Sequence, residues 1–528
     1  MKKILISDKL ADDGINYLNE QSDIQIHIQT GLSEDELCEL IPEYDALLIR
    51  SGTTVTEKVL RAAKKLKVVG RAGIGVDNVD VNAATEQGVI VMNTPDANAT
   101  TTAELAIAHM FSLSRNLPEA NQSVREGKWE RSKLTGAEVS HKTLAILGFG
   151  TIGRIVAQRG NGLSMRVIAY DPFVTPEVFE EYGAEPVSLE ELVKQADYLT
   201  LHCPMIEKTR GIIGAEQLAM MKKSAMLINC ARGGLVDEAA LLEALKNGEI
   251  AKAALDVYEH EPPKDSPLLE LDNINFTPHL GASTREAQVA VSVEIARQVV
   301  TYLQTGEAVN ALNIPRLSAD ELRKARSFMS VANILGKMLI NLAEKPIEKL
   351  EVTTCGKAAE VEIRPISVEA LVGILADQFS TPVNSVNAEN IAKRQGISLV
   401  ETKTEDAEGY LSLIKLKAVC DDGETVSLEG TVLGASLPRI VKIDQFEIEV
   451  VPEGTLLVTR HDDKPGVISA ISSVLGESNI NISRMQVGTA NNEQLAVAVI
   501  SVTDEMDDSL VKAVCQIPAV KSVKQINL

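Results

Sequence analysis

"LAILGFGTIGRIVA", residues 144–157, decides the fold of the middle of this chain. Gly148, Gly150 and Gly153 stand at G-x-G-x-x-G spacing, after an apolar run and at the start of a helical pattern. Glycines make turns everywhere, so the match alone is weak. Here a second apolar run, "RVIAYD", follows and ends in Asp171, about twenty residues on. A dinucleotide site needs this layout. The first glycine permits a tight turn, the second lets backbone approach a pyrophosphate, and the third lets helix pack on strand. The helix start then offers unpaired N–H groups to phosphate. Asp171 is placed to accept from the adenosine ribose hydroxyls, and its charge repels a 2′-phosphate, which favours NAD over NADP. The bland alternative is a strand–helix turn followed by a surface aspartate.

Alternation of the same kind extends outward. In the first hundred residues "KKILIS", "IQIHIQ", "DALLIRS", "LKVVGRAG" and "VIVMNT" read as strands. "SEDELCELI", "TEKVLRAAKKL" and "NVDVNAATEQG" read as helices, with Ser33 and Thr56 placed to cap the first two. Such alternation predicts a parallel sheet covered by helices on both faces. From Thr100 a long helical pattern leads into the glycine motif, and strands and helices then alternate to about residue 281. The helix pattern from Thr284 to Gly306 needs a surface to cover, so it is assigned back to the first unit, which becomes discontinuous. Past Pro315 comes an amphipathic helix and an α+β stretch, then a "VVPEGT" linker, then strand–helix–strand–strand–helix–strand, the order of a ferredoxin-like module. The expected units are 1–98 with 284–315, 99–283, 316–452 and 453–528.

Composition narrows the partners. The 528 residues carry a formal charge of −22, which disfavours nucleic acid and anionic membrane, since both need a basic surface. Aromatic residues make up 3% and apolar residues 45%, so aliphatic side chains must fill the cores. The six cysteines lie far apart without a C-x-x-C pair, so neither a zinc site nor a disulfide framework is expected, and free thiols in a reducing cytoplasm are. The opening "MKKILISDKL" is too short in apolar run for a leader and reads as a first strand.

Three strand ends carry groups suited to chemistry. "LINCARGGLVDEAAL" ends a strand near Arg232, "AALDVYEHEPP" sets Asp256 and Glu261 after the next, and "NINFTPHLGAST" does the same for His279. Ligands of parallel sheets bind at these carboxyl ends. Histidine suits the exchange of a hydroxyl proton near neutrality, and the guanidinium fork suits a carboxylate. Singly, each has a plain structural explanation: a loop charge, a helix-starting acid, a capping residue. Glu259 and His260 are taken as bystanders.

"GFGTIG", "NCARGGLVDEAAL", "ALDVYEHEPP" and "PHLGAST" resemble the signatures of the D-isomer-specific 2-hydroxyacid dehydrogenases. "RAGIGVDNVD", "NTPDANATTTAELA" and "GKWERSKLTGAEVSHKTLAILG" are most similar to the branch of that family that acts on D-3-phosphoglycerate. "STPVNSVNAENIAKRQGISLVE" and "GTVLGASLPRIVKIDQFEIE" resemble the intervening domain of its long form, and "HDDKPGVISAISSVLGESNINISRMQVG" resembles an ACT domain. The resemblance implies an α/β chain with a flavodoxin-like substrate domain and a Rossmann NAD domain. An α+β intervening domain and a βαββαβ ACT domain follow. It further implies NAD as cofactor, 3-phosphoglycerate as substrate, L-serine as effector and a homotetramer.

Carried over residue by residue, the resemblance makes His279 the acid–base group, Glu261 its partner and Arg232 the carboxylate clamp. Cofactor contacts would come from Gly148, Gly150, Thr151, Ile152, Gly153, Asp171, Cys203, Cys230, Arg232, Asp256, His279 and Gly281, with Asp256 on the nicotinamide carboxamide. Substrate contacts would come from Arg50, Ser51, Gly73, Ile74, Gly75 and Asn98. Lys128, Arg131 and Lys133 fall where the family makes dimer contacts. The effector would meet His461, Asp463 and Asn481, although "DD" at 462–463 departs from the Asn found in other branches. Other D-2-hydroxyacid dehydrogenases, reducing hydroxypyruvate, glyoxylate or 2-oxoglutarate, share the site motifs. An NAD-sensing binding protein is the alternative of another class.

Overall fold

The computed structural model describes residues 1–528 except 96, 315–318, 377, 380–381, 435 and 491–493. The expected boundary at 315–316 lies outside the described residues.

The first sheet is parallel and five-stranded, in the order Ile24–Ile28, Lys2–Ile6, Ala46–Ile49, Val68–Arg71, Ile90–Met92. Numbered along the chain this is 2-1-3-4-5, the flavodoxin-like order. Alternate side chains enter opposite layers. Ile4, Ile6 and Leu48 pack with Val291, Ile295 and Val299 of the helix Arg285–Thr305, while Leu5, Leu47 and Ile49 pack with Leu37, Val59 and Leu60. Burial on both faces is why these strands read as unbroken apolar runs, and each such side chain contributes roughly 1.5–3 kcal/mol. Ser33 and Thr56 cap their helices as expected. One helix of this unit, Asp12–Asn19, was not expected from the sequence: Ala11 offers no side-chain cap, and Asp12 and Asp13 in its first turn are the signal it carries. Gly14 lets it cross the long helix closely, since a Cβ there would lie 2.7 Å from the Ser292 carbonyl.

The helical pattern expected from Thr100 is two helices, Ala99–Arg115 and Leu117–Arg125. Asn116 turns left-handed at φ 53° between them. Pro118 is the cause: its ring cannot sit over the Ser114 carbonyl in a continuous helix, and that carbonyl instead accepts from the N–H of Ala137.

The second sheet is parallel and seven-stranded, in the order Ile274–Phe276, Lys252–Leu255, Met226–Asn229, Tyr198–Leu201, Thr143–Leu147, Arg166–Tyr170, Glu185–Pro186. Strand order reverses between Thr143–Leu147 and Tyr198–Leu201, which opens a crevice at their carboxyl ends.

A mixed six-stranded sheet follows, in the order Ser398–Thr404, Ile347–Gly356, Ser412–Cys420, Thr425–Leu433, Leu437–Ile443, Phe446–Val450. Helices Ala319–Leu342 and Ile363–Leu375 cross where Gly336 meets Ala370 and Gly373 meets Asn333, each so close that a Cβ would collide with backbone oxygen. Asn384 donates to the Gly88 carbonyl at 2.8 Å and Val386 enters the first unit's core, which ties this region to the first unit.

The last sheet is antiparallel, in the order Ile482–Thr489, Leu495–Val502, Thr455–Asp462, Val520–Asn527. Helices Val467–Glu477 and Asp508–Cys515 cover one face. From the other face Leu456, Val458, Val497 and Ile526 join the core of the preceding sheet. Among the described residues no helix is long and apolar enough to cross a membrane.

Candidate active site

Three neighbouring parallel strands deliver the chemical groups. Arg232 follows Met226–Asn229, Glu261 follows Lys252–Leu255 and His279 follows Ile274–Phe276. His279 Nδ1 lies 2.7 Å from Glu261 Oε2, with both side chains open to the cleft. The other Glu261 oxygen accepts from the Tyr258 N–H at 3.2 Å. Partial burial pushes the Glu261 carboxyl up. The hydrogen bond and charge of His279, the Tyr258 N–H and Arg232 outweigh that, so the group sits below its ordinary value. With Nδ1 held, Nε2 is the nitrogen left to face a reacting hydroxyl.

Asp256 builds the loop that carries the histidine. It is fully buried and accepts from the N–H groups of Leu280 at 2.7 Å and Gly281 at 2.9 Å, and from the Thr277 hydroxyl at 2.5 Å. Its carbonyl accepts from the His279 N–H at 2.9 Å, and His279 itself holds a left-handed φ of 53°. The sequence had suggested only a nicotinamide contact for Asp256; ordering this loop is a role it did not reveal. His260 is exposed, and the Glu259 N–H donates to Glu238 at 2.7 Å, away from the pair.

The glycine-rich turn passes a direct test of fit for a dinucleotide. Gly148 has φ 95°, and a Cβ there would meet Cys203 N at 2.6 Å. A Cβ on Gly153 would meet the Gly148 carbonyl at 2.2 Å, so only glycine lets the helix Thr151–Gly162 start there. Gly150 has nothing within 4 Å, which leaves its face free for a phosphate to approach the helix start. Thr151 and Ile152 are the first residues of that helix. Asp171 follows the next strand, Arg166–Tyr170, and fastens the turn by accepting from the Phe149 N–H at 2.8 Å. Burial pushes the Cys203 thiol up to about 11 and raises Cys230 as well, so neither is a ready nucleophile.

The facing wall comes from the first sheet. Asp8 accepts from the N–H groups of Arg50 at 2.6 Å and Thr53 at 3.0 Å, which fixes the loop bearing Arg50 and Ser51. The Asn93 amide donates to the Ile74 carbonyl at 2.5 Å, and the Gly73 N–H to the Thr94 hydroxyl at 2.8 Å, which fixes the 73–75 loop. Asn98 is buried at the start of its helix, and its Oδ1 has no partner among the described residues. Lys128 and Lys133 pair with the adjacent Glu126 and Glu130 on the surface, apart from this wall.

Comparison with known proteins fits this geometry. Residues 107–281 match the D-isomer specific 2-hydroxyacid dehydrogenase, NAD binding domain; residues 324–444 match the D-3-phosphoglycerate dehydrogenase intervening domain; residues 454–519 match the ACT domain. The D-3-phosphoglycerate dehydrogenase of Methanocaldococcus jannaschii is 42% identical over 529 residues, covering 100% of both chains. That of Bacillus subtilis is 39% identical over 530 residues, again covering 100% of each. The chain belongs to the D-3-phosphoglycerate dehydrogenase family. Among solved structures, TT0316 from Thermus thermophilus aligns with TM-score 0.55 at 32% identity, over 59% of this chain and 99% of that one. A D-lactate dehydrogenase from Aquifex aeolicus, complexed with NAD and lactic acid, gives 0.54 at 27%, over 59% of this chain and 100% of that one.

One cation of this D-3-phosphoglycerate dehydrogenase family member was not among the residues expected from the sequence. Arg71 ends the strand Val68–Arg71 just as Arg232 follows its own strand, and the same strand-end logic applied to "RAGIGVD" would have found it. Its Nη1 lies where a Cβ on Gly73 would be, and its buried Nε has no partner among the described residues. Burial, with the nearby charges of Arg232 and Arg50, pushes its guanidinium down to about 10, against the pull of Asp77 and Asp8.

The expected effector residues are not brought together within one chain. His461 is buried beneath the ACT helices and Asp463 is exposed beside it. Asn481 precedes the edge strand Ile482–Thr489, whose Ile482 is level with Val502 and Thr455, whereas Asp462 is level with Leu495. Asn481 and Asp463 therefore lie at opposite ends of the sheet, roughly 25 Å apart at about 3.3 Å per residue.

Proposed function

We propose that this chain oxidises D-3-phosphoglycerate with NAD to 3-phosphohydroxypyruvate, the entry to L-serine, and that L-serine feeds back through the ACT domain. The observation that carries the catalytic part is the His279–Glu261 pair beside Arg232, facing a wall with Arg50 and Arg71. His279 Nε2 takes the proton of the C2 hydroxyl while Glu261 stabilises the imidazolium and holds its orientation. Arg232 clamps the carboxylate so that C2 faces the crevice, an orientational contribution. Arg50 and Arg71, with the N–H groups of Ser51 and the 73–75 loop, receive the phosphate. A substrate without phosphate, such as lactate or glyoxylate, leaves those cations unused, which favours the phosphorylated substrate.

NAD bound on the glycine-rich turn supplies the hydride acceptor. Gly148, Gly150, Thr151, Ile152 and Gly153 would hold its pyrophosphate, Asp171 its ribose, and Cys203, Cys230, Asp256 and Gly281 would line the remainder. The partition into substrate (1–98 with 284–315), NAD (99–283), intervening (316–452) and ACT (453–528) domains belongs to the same proposal. So do the cytoplasmic setting and the homotetramer, in which Arg131 with its neighbours Lys128 and Lys133 would meet another subunit.

An effector site follows from symmetry. Antiparallel pairing of the edge strand Ile482–Thr489 with its copy carries one chain's Asn481 to the end of the sheet where the other chain holds Asp463 and His461. The test is NADH formation from 3-phosphoglycerate at alkaline pH, with and without millimolar L-serine. Turnover suppressed by serine is expected. Turnover indifferent to serine sinks the effector assignment alone, and reduction of only unphosphorylated 2-oxoacids sinks the substrate.

A further inference from the structure

The carboxylate clamp is already engaged by a carboxylate of the protein. Arg232 Nε donates to Asp77 Oδ2 at 3.0 Å, across the cleft between the two sheets. Asp77 belongs to the loop after Val68–Arg71, in the wall opposite Arg232, and its side chain is 67% exposed. Gly75 makes the pairing possible. A Cβ there would lie 1.9 Å from Arg232 Nη2 and 2.8 Å from Asp77 Oδ2, so any other residue would push the two apart. Arg232 Nη1 is held by the Ala231 carbonyl at 2.7 Å. Asp77 thus takes one prong of the Nε/Nη2 edge, the edge by which a guanidinium grips a carboxylate with two hydrogen bonds.

We propose that Asp77 is an internal competitor for the substrate carboxylate: it holds Arg232 across the cleft, and the 2-hydroxyacid must displace it to be clamped. The inference rests on the reading of the site as a 2-hydroxyacid site. It assigns to Asp77 a positioning role through Arg232. Three cations, Arg50, Arg71 and Arg232, share the cleft with Asp8, Asp77 and Glu261, and Glu261 is already engaged by His279. Asp8 is tied to backbone N–H groups of its own wall, whereas Asp77 pairs across the gap. Asp77 is therefore the carboxylate whose pairing changes when an anion enters.

Dissociation constants decide the matter. 3-Phosphoglycerate is titrated into the full chain saturated with NADH, where no reaction can proceed, in the parent and in Asp77→Asn. A part-exposed ion pair corresponds to about a fivefold change, so D77N should bind about fivefold more tightly, with the gain shrinking at high salt. Asp77→Ser repeats the test, and Asp77→Glu, which keeps the charge, should show no such gain. Unchanged or weaker binding in D77N and D77S overturns the proposal, since a residue that merely supports the loop or orients Arg232 productively gives that sign. D-lactate as a second ligand separates the two levels. If 3-phosphoglycerate does not bind the parent but D-lactate binds D77N more tightly, the substrate assignment fails and the competitor stands. If neither ligand is held more tightly by D77N, the competitor fails.

Discussion

The catalytic cleft and the ACT sheet differ in one topological respect. In the NAD-type sheet all seven strands run the same way, so the loops bearing Arg232, Glu261 and His279 emerge on one side and meet within a single chain. In the ACT sheet Thr455–Asp462 and Ile482–Thr489 run the same way, but Asp463 follows the end of the first and Asn481 precedes the start of the second, so the two stand at opposite ends and are not joined within one chain. Residues that all follow strand ends meet within one chain; a residue that follows one strand and a residue that precedes another need a two-fold-related copy to meet, as the proposed effector site requires. Catalysis should therefore respond to changes inside one subunit, and regulation to changes at a subunit boundary.

The sharpest break of that comparison is His279→Asn. Loss of the acid–base group should lower turnover by about 10³-fold while the NADH dissociation constant stays near the parent value. Unchanged turnover would mean that another group exchanges the proton. Gly75→Ala comes next. Its Cβ displaces Arg232 by steric contact, and a misplaced clamp should reduce kcat/KM on the order of a hundredfold in steady-state assays. If the variant matches the parent, the end of the Arg232 side chain yields to the methyl without losing the clamp.

On the regulatory side, Asn481→Ala should raise the serine concentration for half-inhibition by about tenfold, the scale of one lost hydrogen bond to a charged group. Turnover without serine should persist, because Asn481 is remote from the cleft. Inhibition that survives with an unaltered serine dependence would sink the two-copy site.

The smallest effect concerns acid stability. Glu261 has its carboxyl below the ordinary value of 4.5, so its ionised form stabilises the fold above that pH. The contribution fades as pH falls through the lower folded value. Glu261→Gln should therefore narrow its stability gap to the parent at acid pH, read as thermal midpoints from neutral to pH 3. A constant gap across that range would mean the carboxylate has no net favourable partner.

Much of this was legible without coordinates, for identifiable reasons. The sheet interiors announced themselves because both faces are buried, which writes runs such as those at 46–49 and 143–147. Gly148 and Gly153 were legible because backbone crowding excludes any side chain there. The helix Asp12–Asn19 was passed over although Asp12 and Asp13 mark its first turn, and the break at Asn116 was hidden because the apolar period continues across it. Arg71 was overlooked although its strand-end position carried the same signal as Arg232.

By itself the sequence determined the residue types that chemistry requires, the order of strands and helices, and the glycines that only a turn or a close approach explains. Those are local properties, set by neighbours along the chain. The tertiary structure alone decided that Asp77 reaches Arg232 from 155 positions away, that Asp256 builds the histidine loop, and that Val386 anchors the intervening region in the first core. It decided as well that Asn481 stands apart from Asp463. Such pairings depend on which ends of which strands face one another, and spacing along the chain does not encode that.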